Sequence, residues 1–201
     1  MSGQEVRICV VGDELAAGTG DPKALGWVGR VVARTQAPGT LSHHVLAVPG
    51  ETTTALSARW EGEVDRRLAH SPDVDDRLVV ALGRHDVAAG LSVARSRLNL
   101  ANILDVAESR NLPTLVVGPP PGERTDNARL GELSRAFADV THRRRVTYVE
   151  TFAPLETHDQ WHADLATRGD DLPAQAGYGL MAWLVLHSGW HGWLGVPDAG
   201  A

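Results

Sequence analysis

The chain has 201 residues, of which 43% are hydrophobic and 22% charged. A chain of this length can bury roughly 70% of its unfolded surface without disulfides or metals, and the composition excludes an intrinsically disordered protein. Nineteen basic against 25 acidic residues leave a net charge of −6, which argues against nucleic-acid binding because phosphate needs a basic surface.

Residues 6–11 (VRICVV) form a short apolar run ended by Gly12-Asp13 and read as a buried strand. The single cysteine, Cys9, lies inside it; it has no partner for an internal disulfide and reads as a buried, inert thiol. Glu14 is placed to head a helix after this strand, where a carboxylate favours the positive end of the helix dipole. Residues 25–35 carry Trp27, Val28, Val31 and Val32 at helical spacing. A second strand, 44–48, stops at Pro49-Gly50. Thr52 or Thr53 caps a helix that runs to about Leu68, with Leu56, Trp60, Val64, Arg67 and Leu68 along one side.

A third strand, 77–82 (RLVVAL), is followed by the loop Gly83-Arg84-His85-Asp86. Residues 92–109 form a long helix with Val93, Ser96, Leu100, Ile103, Leu104 and Ala107 facing inward. The fourth strand, 113–118, is broken by Pro119-Pro120-Pro121. Helix 125–141 follows, then the basic run Arg143-Arg144-Arg145 as a solvated helix end, and a short fifth strand at 146–149. The last helix spans 174–187, and the C-terminal segment is anchored by Trp190 and Trp193.

Apolar strands alternating with helices predict an α/β fold: a three-layer α/β/α sandwich around a five-stranded parallel sheet in flavodoxin-like order. The pattern reads as a single domain over 1–201, with a core at about 6–194 and a tail at 195–201. In such folds ligands bind outside the carboxyl ends of the strands, here residues 12–14, 49–51, 83–86 and 118–121. No 18-residue apolar run is present, so no membrane span is expected, and no basic-then-apolar leader is visible at the N-terminus, so a cytoplasmic protein is expected. Gly12 and Gly18-Thr19-Gly20 lie near a strand end, but neither a Gly-x-Gly-x-x-Gly pattern nor a P-loop lysine accompanies them, so no cofactor is expected.

The segment Val10-Val11-Gly12-Asp13-Glu14-Leu15 resembles the first block of the SGNH (GDSL) hydrolases, in which a Gly-Asp-Ser-Leu turn follows the first strand and its serine is the nucleophile. Further blocks follow in order. Gly50 matches the residue whose backbone N–H serves the oxyanion hole. Gly83-Arg84-His85-Asp86 matches the Gly-x-Asn-Asp block. Gly169-Asp170-Asp171-Leu172-Pro173 stands where the family has Asp-x-x-His-Pro, and Gln175-Ala176-Gly177-Tyr178 continues as that block usually does. The long helix at 91–104 and the phrase His158-Asp159-Gln160-Trp161 are similar to the compact bacterial esterases. The resemblance covers roughly residues 6–194 and implies an esterase or lipase scaffold.

It also implies a changed site. Glu14 stands at the nucleophile position, His85 at the oxyanion-hole asparagine, Leu172 at the base and Gly169 at its orienting acid, with Asp170 one residue too late. Only Gly50 is retained among these. Acyl transfer by this route needs an oxygen nucleophile, a base and an acid that orients the base, and Leu172 cannot accept a proton. The family comparison therefore implies a pseudo-hydrolase that binds a small molecule or a protein partner. The alternative is an enzyme with new chemistry, in which Glu14 and His85 act as acid and base, for instance on a biosynthetic intermediate.

Asp13 and Asp86 match family positions that hold loops by bonding backbone groups, while Asp170 and Asp171 read as decoration of an exposed loop. The first and third strands should be neighbours, which makes Glu14 and His85 a matched pair and raises the imidazole pKa above its reference of roughly 6.5. Carboxylates and imidazole are metal-ligand types, but these come from scattered loops with no diagnostic spacing, so no metal is expected. His158 and His162 are four apart, yet Asp159 stands where a zinc His-Glu-x-x-His motif has glutamate. His187 and His191 share that spacing across a Ser188-Gly189 break.

Overall fold

Five apolar runs become the strands β1 (Glu5–Gly12), β2 (Leu41–Ala47), β3 (Val74–Ala81), β4 (Thr114–Val117) and β5 (Thr147–Val149) in a computed structural model that describes residues 5–197. They form one parallel sheet in the order β2-β1-β3-β4-β5, as the alternation of strand and helix predicts. Residues 198–201 of the predicted tail lie outside the described residues.

Period-two alternation sends successive side chains of β1 to opposite faces. Val6, Ile8 and Val10 join Trp27, Val31, Met181 and Trp190 in one apolar cluster. Cys9 and Val11 join Leu56, Trp60, Leu100, Ile103 and Phe137 in the other. The first face is covered by α1 (Gly26–Ala33) and α8 (Gln175–Val185), and the second by α2 (Thr53–Asp65), α4 (Val93–Ser109) and α5 (Asn127–Arg143). The result is a three-layer α/β/α sandwich. Burial raises the Cys9 thiol pKa to about 11, in keeping with an inert core residue.

The helix starts follow their capping residues. Thr52 Oγ1 accepts the Ala55 N–H at 3.3 Å, Ser92 Oγ the Arg95 N–H at 3.2 Å and Asp126 Oδ1 the Arg129 N–H at 3.2 Å. Helix α2 ends at Asp65, short of the expected Leu68, because the Ala69 and His70 N–H groups turn to the Asp76 carboxylate. β3 begins at Val74, three residues earlier than expected, since Asp75, Asp76 and Arg77 disguise its amino end, where Arg77 pairs with Asp75 at 2.6 Å. The basic run is a helix end: Arg143 pairs with Asp139 and Arg144 with Asp105.

Two expectations near the strand ends are corrected. Glu14 heads no helix; residues 14–20 are turns, and α1 starts only at Gly26. Asp21 fixes that start by accepting the Leu25 and Gly26 N–H groups at 3.1 and 2.8 Å while paired with Arg30. The segment after β3 is not an open loop but the one-turn helix α3 (Arg84–Ala88). Gly83 enters it at φ 139°, packed so that a Cβ would lie 3.0 Å from the Phe137 ring.

Beyond β5 come α6 (Phe152–Glu156) and α7 (Asp159–Ala166), and α8 leads through a π-turn at Leu186–Trp190 to α9 (His191–Leu194). Trp27, Trp60, Trp161 and Trp190 are fully buried, whereas Trp183 is 57% exposed and stacks on His187. No helix among the described residues is long and apolar enough to cross a membrane.

Candidate functional site at the carboxyl ends of β1 and β3

β1 ends at Gly12, where any Cβ would lie 2.0 Å from the Ala81 carbonyl oxygen of β3. Glycine lets the two strands close up, and the residues that follow each strand meet. Asp13 is buried and turns its Oδ1 back to the Leu15 N–H at 2.9 Å, the backbone-holding role expected of it. Glu14 points across the strand ends. Its Oε2 accepts the Gly50 N–H at 2.8 Å. Its Oε1 accepts from Arg84 Nη2 at 2.6 Å and lies 2.8 Å from His85 Nε2. The structure thus brings Glu14, His85 and Gly50 together.

Arg84 is the member that the sequence reading passed over. Its side chain is 9% exposed, and the guanidinium bridges Glu14 to the Asp171 carbonyl oxygen, the latter at 2.5 Å. The available signal was a charged residue between Gly83 and His85, at a strand end where burial is the rule.

Asp171 is the third correction. It is buried rather than decorating a surface loop. Its carboxylate accepts the Glu123 N–H at 2.6 Å, the Arg124 N–H at 2.9 Å and the Thr125 hydroxyl at 3.1 Å, binding the 169–173 loop to the segment after β4. Asp170 is exposed as expected, pairs with Arg168 and accepts the Leu172 N–H at 3.1 Å. Leu172 packs, half-buried, against the apolar cluster beneath α1 and α8. Asp86 holds α3 to α2 by accepting both the N–H and the hydroxyl of Thr53 at 2.7 Å, and Asn99 completes that network through Thr53 Oγ1.

The electrostatics follow from these contacts. Burial acts to raise the Glu14 carboxyl pKa, but the bonds from His85, Gly50 and Arg84 outweigh it and hold the group well below the usual carboxylate range. The Glu14 hydrogen bond raises the His85 imidazole above its ordinary value, against an opposing effect of burial. Asp13 is pushed up, first by burial and then by the charge of Glu14. Glu14 and His85 therefore form a charge pair, with Arg84 as a second cation.

Asp13, Glu14 and His85 offer ligand atoms that all lie within 4.8 Å of one another, closer than their sequence spacing implied. Arg84 competes for the same Glu14 oxygen and already supplies positive charge there, so a cation would have to displace it. The other histidine pairs do not converge. His162 bonds Glu123 through Nδ1 and the Glu156 carbonyl through Nε2, and His187 bonds the Trp183 carbonyl. Behind Asp13 and Arg84 lies a cavity of about 10 Å³, lined by Leu15, Trp27, Val117 and Met181. It is large enough for a water-sized molecule.

Residues 10–187 match the GDSL-like lipase/acylhydrolase family, and the chain belongs to that family. Among solved structures it is similar to the psychrotrophic esterase EstA from Pseudoalteromonas sp., at 19% identity and a TM-score of 0.72, over 94% of this chain and 98% of that one. The acetylxylan esterase Axe2 from Geobacillus stearothermophilus is alike at 19% identity and a TM-score of 0.72, covering 93% and 94% of the two chains. The lipase/acylhydrolase from Enterococcus faecalis follows at 20% and 0.69, covering 89% and 92%. A comparison with curated proteins finds no match.

Proposed function

We propose that this protein is a non-hydrolytic member of its family, a cytoplasmic pseudo-hydrolase that binds a small molecule or a protein partner at the carboxyl end of its sheet. One observation carries the reading: both oxygens of Glu14 are already taken, one by the Gly50 N–H and the other by Arg84 and His85. By the family resemblance, Glu14 occupies the nucleophile position and Gly50 the oxyanion hole. The carboxylate of the chain itself lies on the donor that would otherwise polarise a substrate carbonyl.

The alternative, acid–base chemistry by Glu14 and His85, is less well supported. A general base works best with a pKa near the operating pH. Glu14 is held far below that, and His85 is pushed toward its protonated form, so neither is poised to take a proton. Direct attack by Glu14 would require it to leave three donors and would yield an anhydride. With Leu172 in the base position, no group is present to activate a water through the family's route.

The test is hydrolysis and active-site labelling. Purified protein should cleave short activated acyl esters no faster than its Glu14→Ala variant, and a serine-directed fluorophosphonate should label nothing at the strand ends. Stoichiometric labelling there, or Glu14-dependent turnover, would overturn the reading.

A further inference from the structure

The donors around Glu14 are fixed by the scaffold and not only by Glu14. Gly50 sits in a turn at φ 74°, after β2, closed by the bond from the Glu51 N–H to the Val48 carbonyl at 3.2 Å. The Glu51 side chain pins that turn to Arg59. Arg84 is anchored through its other nitrogen to the Asp171 carbonyl, and the helix that carries Arg84 and His85 is tied to Thr53 by Asp86. Three donors from two separate elements thus converge on one carboxylate and keep supports of their own.

We propose that Gly50, Arg84 and His85 form a receptor for a carboxylate ligand, with Glu14 as its resident, displaceable occupant. This rests on the reading that the protein binds rather than hydrolyses, and it names the ligand class. The donor set selects that class. It offers one neutral N–H to one oxygen and two donors, one a guanidinium, to the second, which suits a planar two-oxygen anion. A neutral ester presents one carbonyl oxygen and no charge. Glu14 hangs from a turn but is buried, and the cluster meets solvent at His85, whose side chain keeps 22% of its surface exposed; exchange requires the Glu14 side chain to swing out through that mouth.

A tethered carboxylate competes at an effective concentration on the order of millimolar or above. Free acetate should therefore not bind the wild-type protein measurably. A ligand that displaces Glu14 must carry a carboxylate together with further contacts at the mouth. Removing the Glu14 side chain removes the competitor and leaves the receptor open to the simplest probe.

The experiment is thermal unfolding of Glu14→Ala in sodium acetate, against sodium chloride and sodium sulfate at matched ionic strength, with the wild type alongside. The variant should melt below the wild type. Acetate at a hundred times its dissociation constant should raise the melting temperature of the variant by roughly 5–10 °C, with chloride and sulfate giving no such rise. The His85 ring resonances should shift with acetate, and the wild type should not respond. Should Glu14→Ala not fold alone, Glu14→Ser, which keeps a small polar side chain at the same turn, is read in the same way. Absence of an acetate-specific rise, or an equal rise with sulfate, overturns the carboxylate receptor. That failure is distinct from failure of the non-hydrolytic reading, which the fluorophosphonate decides on the wild type.

Discussion

At the scale of single residues, Glu14 and His85 bias stability in opposite pH directions. His85 has a raised pKa in the folded state, so its contribution is fully present below its unfolded value of roughly 6.5 and is lost as pH rises through the folded value. Glu14 has a lowered pKa, so its contribution is present above the usual carboxylate range and is lost on acidification. The groups facing His85 are Glu14, Asp13 and Arg84. Urea unfolding between about pH 6 and pH 8.5 should show the wild type losing stability relative to His85→Asn as pH rises; a constant difference across that range would deny the ion pair. The Glu14–His85 contact was legible in the sequence because adjacent parallel strands deliver their carboxyl ends to one place. Arg84 was not legible, since nothing in a single arginine reveals that its two ends will find a carboxylate and a carbonyl 87 residues downstream.

At the scale of elements, the 169–173 loop is held by Asp171. Its acceptor bonds reach residues 46 to 48 positions earlier, a separation that sequence pattern does not encode, and so two adjacent aspartates looked alike when one is buried and the other paired at the surface. Replacing Asp171 with alanine removes the shared acceptor of the partly exposed 123–125 segment, and about 0.5–1.5 kcal/mol should be lost per hydrogen bond. Asp170→Ala should change stability by less than about 1 kcal/mol, as an exposed pair does. Comparing the two variants by denaturant unfolding checks the assignment, and equal losses would contradict it. The strands and the caps at Thr52, Ser92 and Asp126 were readable because local chemistry decides them. The helix expected at Glu14 failed for a local reason as well: Gly18 and Gly20 adopt positive φ, and Asp21 caps the helix later.

At the scale of the molecule, apolar strands alternating with helices were enough to predict a parallel sheet covered on both faces, and the blocks at successive strand ends carried the family. Two esterases and a lipase/acylhydrolase only 19–20% identical to this chain share its fold, and a fold by itself does not fix the chemistry of a site. In this chain an ion-paired cluster spans the ends of β1 and β3, and the state of that cluster is directly observable. An NMR titration of the His85 ring in the wild type and in Glu14→Gln is the most direct measurement. The account predicts an imidazolium that persists above its reference pKa of roughly 6.5 in the wild type, and a titration displaced downward once the carboxylate is neutralised. Identical titrations of the two proteins at or below that reference would show that Glu14 does not hold the cluster, and would contradict the account.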